Sequence, residues 1–388
     1  MQKKLLIAVL FVLLLCLIPD KSTFPQKDDL EKEFFRGVAE MEREYRSFER
    51  AAFEEFRRAV KSMWGDVIIS TKKDWVEYSD DKSARSRVDF EIGEVRVEVL
   101  VTEKEARRDP RRLEKKIMKE IQHVVVNKGR NRDYNLPTPE TVNPPSPLLP
   151  RPVLEGQLKD SQGRVATEEN KEEFAREIIQ TKSVVKEELE TKKGKMIKAW
   201  VKFPLVPDHL RIRAQYYLDP VRKQAKRFGL SVPVALAVMH TESYFNPKAT
   251  SPVPAYGLMQ LVPRAGALDA YRYVYKVEKI VSADYLYDPV NNIELGCAYL
   301  GLLKNRYFQK IRLSENALYC AVASYNTGPG NLSRTLCGKK YLKCAVDRAN
   351  AMTPEALFSH LRKHLPHQET RDYLKKVTER MRIYEEWA

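Results

Sequence analysis

Apolar residues that alternate with charged ones, on both sides of a proline-rich segment, constrain the fold of this chain most strongly. The alternation runs over residues 88–92 and 95–101, with Gly93 and Glu94 between the two runs, and it returns over 197–203. A period of two is typical of strands that bury one face. The two adjacent runs predict a β-hairpin, and the third predicts a strand that returns to the same sheet.

Helical periodicity fills much of the remaining chain. Apolar residues spaced by three and four predict one long amphipathic helix over 26–63, and a second helix is predicted over 106–127. From Asp208 onward, one helical pattern follows another without convincing alternation. The predicted fold class is an α+β N-terminal domain followed by a mainly α domain.

The domain boundary follows from where the strands can find partners. Residues 137–152 contain seven prolines, which exclude a helix interior or a strand ladder and predict an extended loop. Because the strand at 197–203 needs a sheet that only the first half supplies, we place the boundary near Pro207 rather than in this loop. The predicted segments are a signal or anchor at 1–22, the α+β domain at 24–206 and the helical domain at 207–388.

The N-terminus has the pattern of an export signal. Lysines at positions 3 and 4 precede an uninterrupted apolar run, Leu5–Ile18, which is short for a membrane span. Leu15 stands where a bacterial lipobox has a small residue, and no Ala-x-Ala site follows the run. Lipidation at Cys16 and an ordinary or uncleaved signal therefore both remain open. We expect an exported protein that is associated with a membrane surface through this N-terminal segment.

Composition narrows the possible partners. Hydrophobic residues make up 43% and aromatic residues 10% of the 388 residues, which excludes a disordered chain and a membrane protein with many spans. The net charge of +15 favours an anionic partner. In an exported protein, acidic glycans and anionic lipid headgroups fit that charge better than nucleic acid, and an ordinary solvated surface also remains open. We therefore predict no nucleic-acid partner.

The cysteines outside the signal lack the paired spacing of a zinc site. Cys337 and Cys344 are the disulfide candidate, because an oxidising compartment permits disulfides and a short loop with Gly338 could bring the two together. Cys297 and Cys320 fall in apolar helical patterns. For them, two buried core thiols and a second bridge both remain open.

A short apolar helix carries the main candidate for catalysis. Ser231 and Pro233 are typical of a first helical turn, and Pro247 prevents continuation much beyond Tyr244. Glu242 falls on the same face as the aliphatic residues, near the helix C-terminus. Burial and the helix dipole both disfavour an ionised carboxylate there, so Glu242 is a candidate general acid. On this helix alone, a glutamate turned to solvent is the alternative.

Four short motifs occur in order along the second half. They are Glu242-Ser243, Gly257-Leu258-Met259-Gln260, Tyr325-Asn326 followed by Gly328, and Glu369-Thr370-Arg371-x-Tyr373. In this order and at these separations, they resemble the catalytic domain of the soluble lytic transglycosylase (goose-type lysozyme-like) family. The resemblance implies a lysozyme-like catalytic domain at 207–388. The N-terminal half, with its long helix, Trp64-Gly65 and charged hairpin, resembles the amino-terminal domain of the membrane-bound lytic murein transglycosylase C family.

The resemblance also implies a substrate and a mechanism. The substrate would be peptidoglycan glycan strands, cleaved between N-acetylmuramic acid (MurNAc) and N-acetylglucosamine (GlcNAc). Glu242 would protonate the bridging oxygen while the substrate's acetamido oxygen attacks C1, and would then take the proton of the C6 hydroxyl, which closes a 1,6-anhydro ring. We expect the protein in the periplasm, at the outer membrane, and we expect no metal or organic cofactor.

Three further residues are expected to hold the substrate or Glu242. Ser251 and Tyr325 have hydroxyls suited to the acetamido group or the glutamate. Gln260 has an amide that can both donate and accept.

The remaining motif residues have expected roles at the site, and for two of them a purely structural role is the alternative. Tyr256 and Met259 are expected to contact sugar faces, and Asn326 to support the local turn. Tyr373 is expected to close the site from the last helix. Met259 as a core residue and Tyr373 as a packed aromatic remain open. Ser324 replaces the alanine that usually precedes the Tyr-Asn pair in the family.

Two other functions remain open on the sequence. One is a lysozyme-type hydrolase on the same fold, in which water captures the intermediate, and the other is a peptidoglycan-binding scaffold without catalysis. A metal enzyme is disfavoured: His360, His364 and His367 could share a helix face, but Pro366 interrupts the turn and no H-E-x-x-H motif is present.

Overall fold

A computed structural model of the chain describes residues 27–130, 136–137, 142–143 and 147–387. The predicted signal with Cys16 lies outside the described residues, as does most of the proline-rich loop before Pro147. Among the described residues, those up to 59 together with the short hairpin β4–β5 (Leu136–Pro137 and Val142–Asn143) form one compact unit. Residues 60–130 and 147–387 belong to a second.

A long helix opens the described chain. Helix α1 covers Lys27–Trp64, as the amphipathic pattern predicted within a residue at each end. Every helix in the part of the chain that the structure describes is too short or too polar to cross a membrane.

A five-stranded antiparallel sheet forms the centre of the N-terminal region. Its strands are β1 (Asp74–Tyr78), β2 (Ala84–Asp89), β3 (Glu94–Thr102), β6 (Val185–Thr191) and β7 (Gly194–Pro204). Their order in the sheet is β1-β2-β3-β7-β6. The returning strand β7 pairs with β3, so that Val97 lies opposite Val201. The predicted hairpin and returning strand are confirmed.

The hairpin turn differs from the prediction at its first strand. Strand β2 ends at Asp89, and Ile92 is 66% exposed in the turn instead of facing the core. The Asp89 carboxylate accepts the N–H groups of Glu91 and Ile92, and its carbonyl accepts the Gly93 N–H. These bonds close the turn over 90–93, and Gly93 supplies the positive φ of 69° that the turn requires.

Three helices cover the sheet region: α2 (Glu103–Arg108), α3 (Arg112–Val126) and α4 (Lys171–Thr181). The single helix predicted over 106–127 is wrong, because the chain breaks between α2 and α3. Helix α2 begins earlier, at a capping box between Thr102 and Glu105. It ends at Asp109, whose extended backbone precedes Pro110 as expected for a residue before proline.

In the described residues after β7, the named elements are all helices, as predicted. They are α5 (His209–Tyr216), α6 (Leu218–Arg227), α7 (Val232–Ser243), α8 (Gly266–Tyr275), α9 (Ala283–Tyr287), α10 (Pro289–Leu302), α11 (Ser314–Thr327), α12 (Pro329–Cys337), α13 (Leu342–Asn350), α14 (Pro354–His364) and α15 (Gln368–Met381), with a π-turn at Leu303–Tyr307 and a final 3₁₀ segment at Arg382–Trp387. One apolar core forms among these helices and a second between the sheet and its helices. The predicted α+β followed by mainly α fold class is confirmed.

The cysteines of the helical region are of two kinds. Cys337 and Cys344 form a disulfide with their Cα atoms 6.3 Å apart. Cys297 and Cys320 are reduced and buried, each inside the helical core.

Candidate active site

Glu242 lies in the last turn of α7, on a helix whose residues are nearly all buried. The helix begins after Ser231 with Pro233 in its first turn, as predicted, and ends at Tyr244, whose φ of 51° is left-handed. Helix α15 packs along α7 and covers it from one side. The Glu242 side chain is only 5% exposed, so it is not turned to solvent.

Burial controls the ionisation of this carboxyl. It raises the pKa of Glu242 from 4.5 to about 7. The Lys72 ammonium and the Tyr373 hydroxyl lower this pKa, and the Glu369 carboxylate raises it. The effect of burial is the largest, so near neutral pH Glu242 can hold a proton and can also release it.

Two buried tyrosines from other helices face Glu242. Tyr373, on α15, is 4% exposed, and its hydroxyl has no partner at full hydrogen-bond geometry among the described residues, although it acts on the Glu242 carboxyl. Tyr325, on α11, donates its hydroxyl proton to the Met259 carbonyl at 2.8 Å. Burial and the Glu242 charge raise the pKa of both tyrosines well above 10, which keeps both hydroxyls protonated.

Gln260 braces the loop that follows α7. Its Nε2 donates to the carbonyls of Ala249 at 2.9 Å and Gly257 at 3.1 Å. Its Oε1 is buried and has no partner among the described residues, so only the acceptor side of the amide is available. Gln260 has a φ of 47°, a strained conformation for a non-glycine residue that is common beside functional sites.

The Gly-Leu-Met-Gln motif is held in place by a residue that the sequence did not point to. Asn292, on α10, accepts the Met259 N–H at 2.7 Å and donates to the carbonyls of Tyr256 at 2.8 Å and Leu286 at 2.6 Å. A Cβ at Gly257 would lie 2.2 Å from the Leu286 carbonyl oxygen, so only glycine fits there.

Met259 and Tyr256 lie in different surroundings. Met259 is fully buried and packs against Gly296 in the helical core. It therefore has the core role that the sequence left open and not the expected contact with a sugar face. Tyr256 is half-buried and stacks edge-on with Tyr287, with ring centroids 5.5 Å apart. Part of its ring therefore remains accessible.

Ser251 and Asn326 both make local or helix-to-helix bonds. The Ser251 hydroxyl donates to the Val253 carbonyl within its own turn. The Asn326 side chain accepts the Thr370 hydroxyl at 2.7 Å and thus joins α11 to α15, where a local turn role was expected. The buried Ser324 hydroxyl has no partner among the described residues.

Two charged residues beside Glu242 were not predicted as site residues. Lys72, in the loop before β1, has its Nζ 3.7 Å from Glu242 Oε2 and 3.4 Å from Glu369 Oε1. Glu369 opens the last motif, and its side chain is 71% exposed. Nothing in the sequence around Lys72 links it to a glutamate in the other half of the chain.

A helical domain, one buried carboxyl that titrates near neutrality and two buried tyrosines beside it define the site. A model of the transglycosylase SLT domain family matches residues 219–345, which include Glu242, the Gly-Leu-Met-Gln loop and Tyr325. The protein is an enzyme of the lytic transglycosylase class. A second family model, the N-terminal domain of membrane-bound lytic murein transglycosylase C, matches residues 41–216.

Relatives match nearly the whole chain. Membrane-bound lytic murein transglycosylase C of Haemophilus influenzae (strain PittEE) is 32% identical over 329 residues, which cover 83% of this chain and 85% of the relative. The protein of the same name from Actinobacillus pleuropneumoniae serotype 5b is 31% identical over 337 residues, 85% of each chain. The chain belongs to the membrane-bound lytic murein transglycosylase C family.

Solved structures match a smaller part. The lytic transglycosylase Slt of Pseudomonas aeruginosa is 28% identical, with 43% of this chain and 24% of that chain covered and a TM-score of 0.34. The 70 kDa soluble lytic transglycosylase of Escherichia coli is 25% identical, with 44% of this chain and 24% of that chain covered and a TM-score of 0.33. This chain therefore spans about a quarter of the length of those two.

Proposed function

We propose that this enzyme cleaves the β-1,4 bond between MurNAc and GlcNAc in peptidoglycan and leaves 1,6-anhydro-MurNAc ends. The protonated Glu242 carboxyl donates its proton to the bridging oxygen, and the C1–O bond breaks. The acetamido oxygen of MurNAc bonds to C1 and gives an oxazolinium species. The ionised Glu242 then removes the C6 hydroxyl proton, O6 bonds to C1, and the acetamido oxygen leaves, so that Glu242 is protonated again.

The burial of Glu242, with its pKa raised to about 7, is the observation that carries this proposal. A group that donates a proton and later accepts one works best when its pKa lies near the working pH. The names of the relatives in the family, which include the word murein, support peptidoglycan as the substrate.

The surrounding groups support distinct roles. Because the Tyr325 hydroxyl already donates to Met259, its oxygen is left to accept, which suits a protonated Glu242. The Tyr373 hydroxyl is available to donate to Glu242 when that group is ionised. The unpartnered Gln260 Oε1 is suited to accept a sugar hydroxyl or amide N–H. We keep Ser251, Tyr256 and Asn326 as substrate-binding residues of the proposal. Met259 instead acts through its carbonyl, which holds the Tyr325 hydroxyl.

Hydrolysis to a reducing end is the second candidate, and Glu369 is the observation that favours it. Both Glu369 and Glu242 lie within 4 Å of the same Lys72 ammonium. Glycosidases that capture the sugar with water use a second carboxylate near the first. Glu369 is largely exposed, however. A solvated carboxylate supports hydrolysis less strongly than the burial of Glu242 supports the reaction with anhydro ends.

Product analysis separates the two reactions. Purified sacculi are digested with the full chain, and the released muropeptides are weighed by mass spectrometry. We expect anhydro ends, which are lighter by one water than reducing ends. Reducing ends would replace this proposal with hydrolysis, and no release by the wild type would replace it with the binding scaffold.

We also propose the location and organisation expected from the sequence. The printed names of the relatives support association with a membrane, which we assign to the N-terminal segment 1–22, in the periplasm at the outer membrane. The end of β7 at Pro204 and the start of α5 at His209 support domains at 24–206 and 207–388.

A further inference from the structure

The one cation that contacts Glu242 in the described structure comes from the sheet region. Lys72 precedes β1, whereas Glu242 ends α7 in the helical region, and their charged atoms are 3.7 Å apart. The Lys72 side chain is 36% exposed, and its ammonium also lies 3.4 Å from Glu369. A lysine from the loop before β1 thus lies between the buried carboxyl and the accessible surface.

The backbone on both sides of Lys72 is fixed, which separates it from an ordinary surface lysine. The Thr71 N–H donates to the Asp74 carbonyl at 3.0 Å, and the Thr71 hydroxyl donates to the Asp74 carboxylate at 2.7 Å, which closes the turn. The fully buried Asn246 donates to the carbonyls of Thr71 and Asp74, both at 3.1 Å. Lys72 is therefore held between two bonded residues.

The residues that hold the turn around Lys72 belong to the loop that follows α7. Asn246 comes four residues after Glu242, and Lys248 in the same loop donates to the Val76 carbonyl at 3.5 Å and lies over the Trp75 ring. Residues 246–248 thus hold strand β1 and the turn before it in place. The position of Lys72 relative to Glu242 is set over a short, buried path.

The other charged and titratable groups around Glu242 are few in the described structure. Tyr373 and Glu369 face it from α15, and Tyr325 faces it from α11. On α15 and the 3₁₀ segment, Arg380 and Tyr384 bond instead to His240, two residues before Glu242 on α7. His240 is neutral there, because burial lowers its pKa to about 3.

We propose that Lys72 is the positioning cation of this active site, through which the sheet region takes part in catalysis. Its ammonium stabilises the carboxylate that Glu242 becomes when it gives up its proton, and it orients that carboxylate for the later return of a proton. This inference rests on the proposed acid-then-base role of Glu242 and assigns a role to the N-terminal domain.

The test compares Lys72→Met with Lys72→Arg and with Lys73→Met. Lys73 is the adjacent lysine, with a similar exposure of 39%, and it pairs with Glu91 and Asp89 instead of Glu242. The rate of sacculus digestion by the full chain is measured against pH for each variant, and thermal melting verifies that each is folded.

The expected direction follows from the active form of Glu242. Activity falls as pH rises through the Glu242 pKa, because the first step needs the proton. Removal of a cation raises the Glu242 pKa, so in Lys72→Met the fall of activity moves to higher pH. We expect a displacement of about one pH unit, the low end for an opposite charge at this distance, because Lys72 is partly exposed and also pairs with Glu369. The plateau rate drops about tenfold, since the newly ionised carboxylate loses its counter-charge.

We expect Lys72→Arg to keep the wild-type pH dependence and Lys73→Met to be indistinguishable from wild type. A Lys72→Met profile that falls at the wild-type pH overturns the inference, even if the rate is lower. So does Lys72→Arg with the same displaced profile as Lys72→Met, because the charge is retained.

A second readout keeps this result apart from the proposed reaction. The Glu242 pKa is measured directly from its ¹³C carboxyl resonance, assigned by its absence in Glu242→Gln. If products carry reducing ends, the proposed reaction fails, but a raised Glu242 pKa in Lys72→Met still supports Lys72 as its counter-charge. If products carry anhydro ends and this pKa is unchanged, only the role of Lys72 is overturned.

Discussion

Among the described residues, the sheet region and the helical region each contain a buried glutamate whose pKa lies near neutrality. Taken as whole residues, Glu120 on α3 is 8% exposed and Glu242 on α7 is 4% exposed. Burial raises the pKa of each from 4.5 to about 7. By ionisation alone, the two residues cannot be told apart.

Their neighbours distinguish them. Glu120 is surrounded by groups of its own region, with the carboxylates of Glu77 and Asp81 raising its pKa further and Lys116 lowering it. Glu242 meets side chains from three separate parts of the chain, namely the loop before β1, α11 and α15, and the Tyr373 hydroxyl beside it has no partner at full hydrogen-bond geometry among the described residues. An unpartnered buried oxygen does not distinguish the two sites, because Glu77 Oε1 beside Glu120 also has no partner among the described residues. What distinguishes Glu242 is that distant segments place an ammonium and two tyrosine hydroxyls at its carboxyl, as expected of a catalytic site. A raised pKa therefore identifies a catalytic acid only together with such surroundings.

The largest effect expected from this comparison is on activity. Glu242→Gln should lower the rate of muropeptide release by about 10²–10⁴-fold, because the amide can neither donate the first proton nor take the second. Glu120→Gln is the matched control and should digest sacculi at the wild-type rate. Equal losses in the two variants would erase the distinction between the two glutamates, and sacculus digestion that survives Glu242→Gln would remove the mechanism.

A smaller effect is expected on stability. A carboxyl whose pKa is raised by folding favours the folded state while it is protonated, and this advantage is lost as pH rises from about 4.5 to about 7. Glu120→Gln does not titrate, so at about pH 8 its free energy of unfolding should exceed that of wild type by about 3 kcal/mol. Near pH 4 the two should agree. Urea unfolding at both pH values measures the difference, and a gain that is independent of pH would argue against a buried, titrating Glu120.

The smallest effect is expected at the tyrosine beside Glu242. Tyr373→Phe removes a hydroxyl that lowers the Glu242 pKa, so the fall of activity with pH should move slightly upward and the plateau rate should decrease about tenfold. Tyr384→Phe is the matched control, because that hydroxyl bonds to His240 instead. Wild-type rates at every pH in Tyr373→Phe would show that Tyr373 is a packed aromatic whose hydroxyl has no role in the reaction.

The strands show which elements a sequence pattern can reveal. Strand β7 was predicted because one of its faces is buried, which leaves a period of two in its sequence. Strand β1 is buried along its whole length and β6 is mostly exposed, so neither alternates, and neither was predicted. The break at Asp109 was missed because the helical pattern resumes directly after Pro110.

The sequence by itself determined the sheet hairpin, the helix that carries Glu242, the order of the four motifs and the family that they resemble. These features depend on residues close together in the chain, where periodicity, capping and proline act locally. Only the tertiary structure decided that Met259 packs in the core, that Asn326 bonds to Thr370, and that Lys72 meets Glu242. The reason is that packing, hydrogen bonds and charge interactions all depend on distances of a few ångströms. Here those distances are set by buried contacts between distant segments, which leave no local pattern in the sequence.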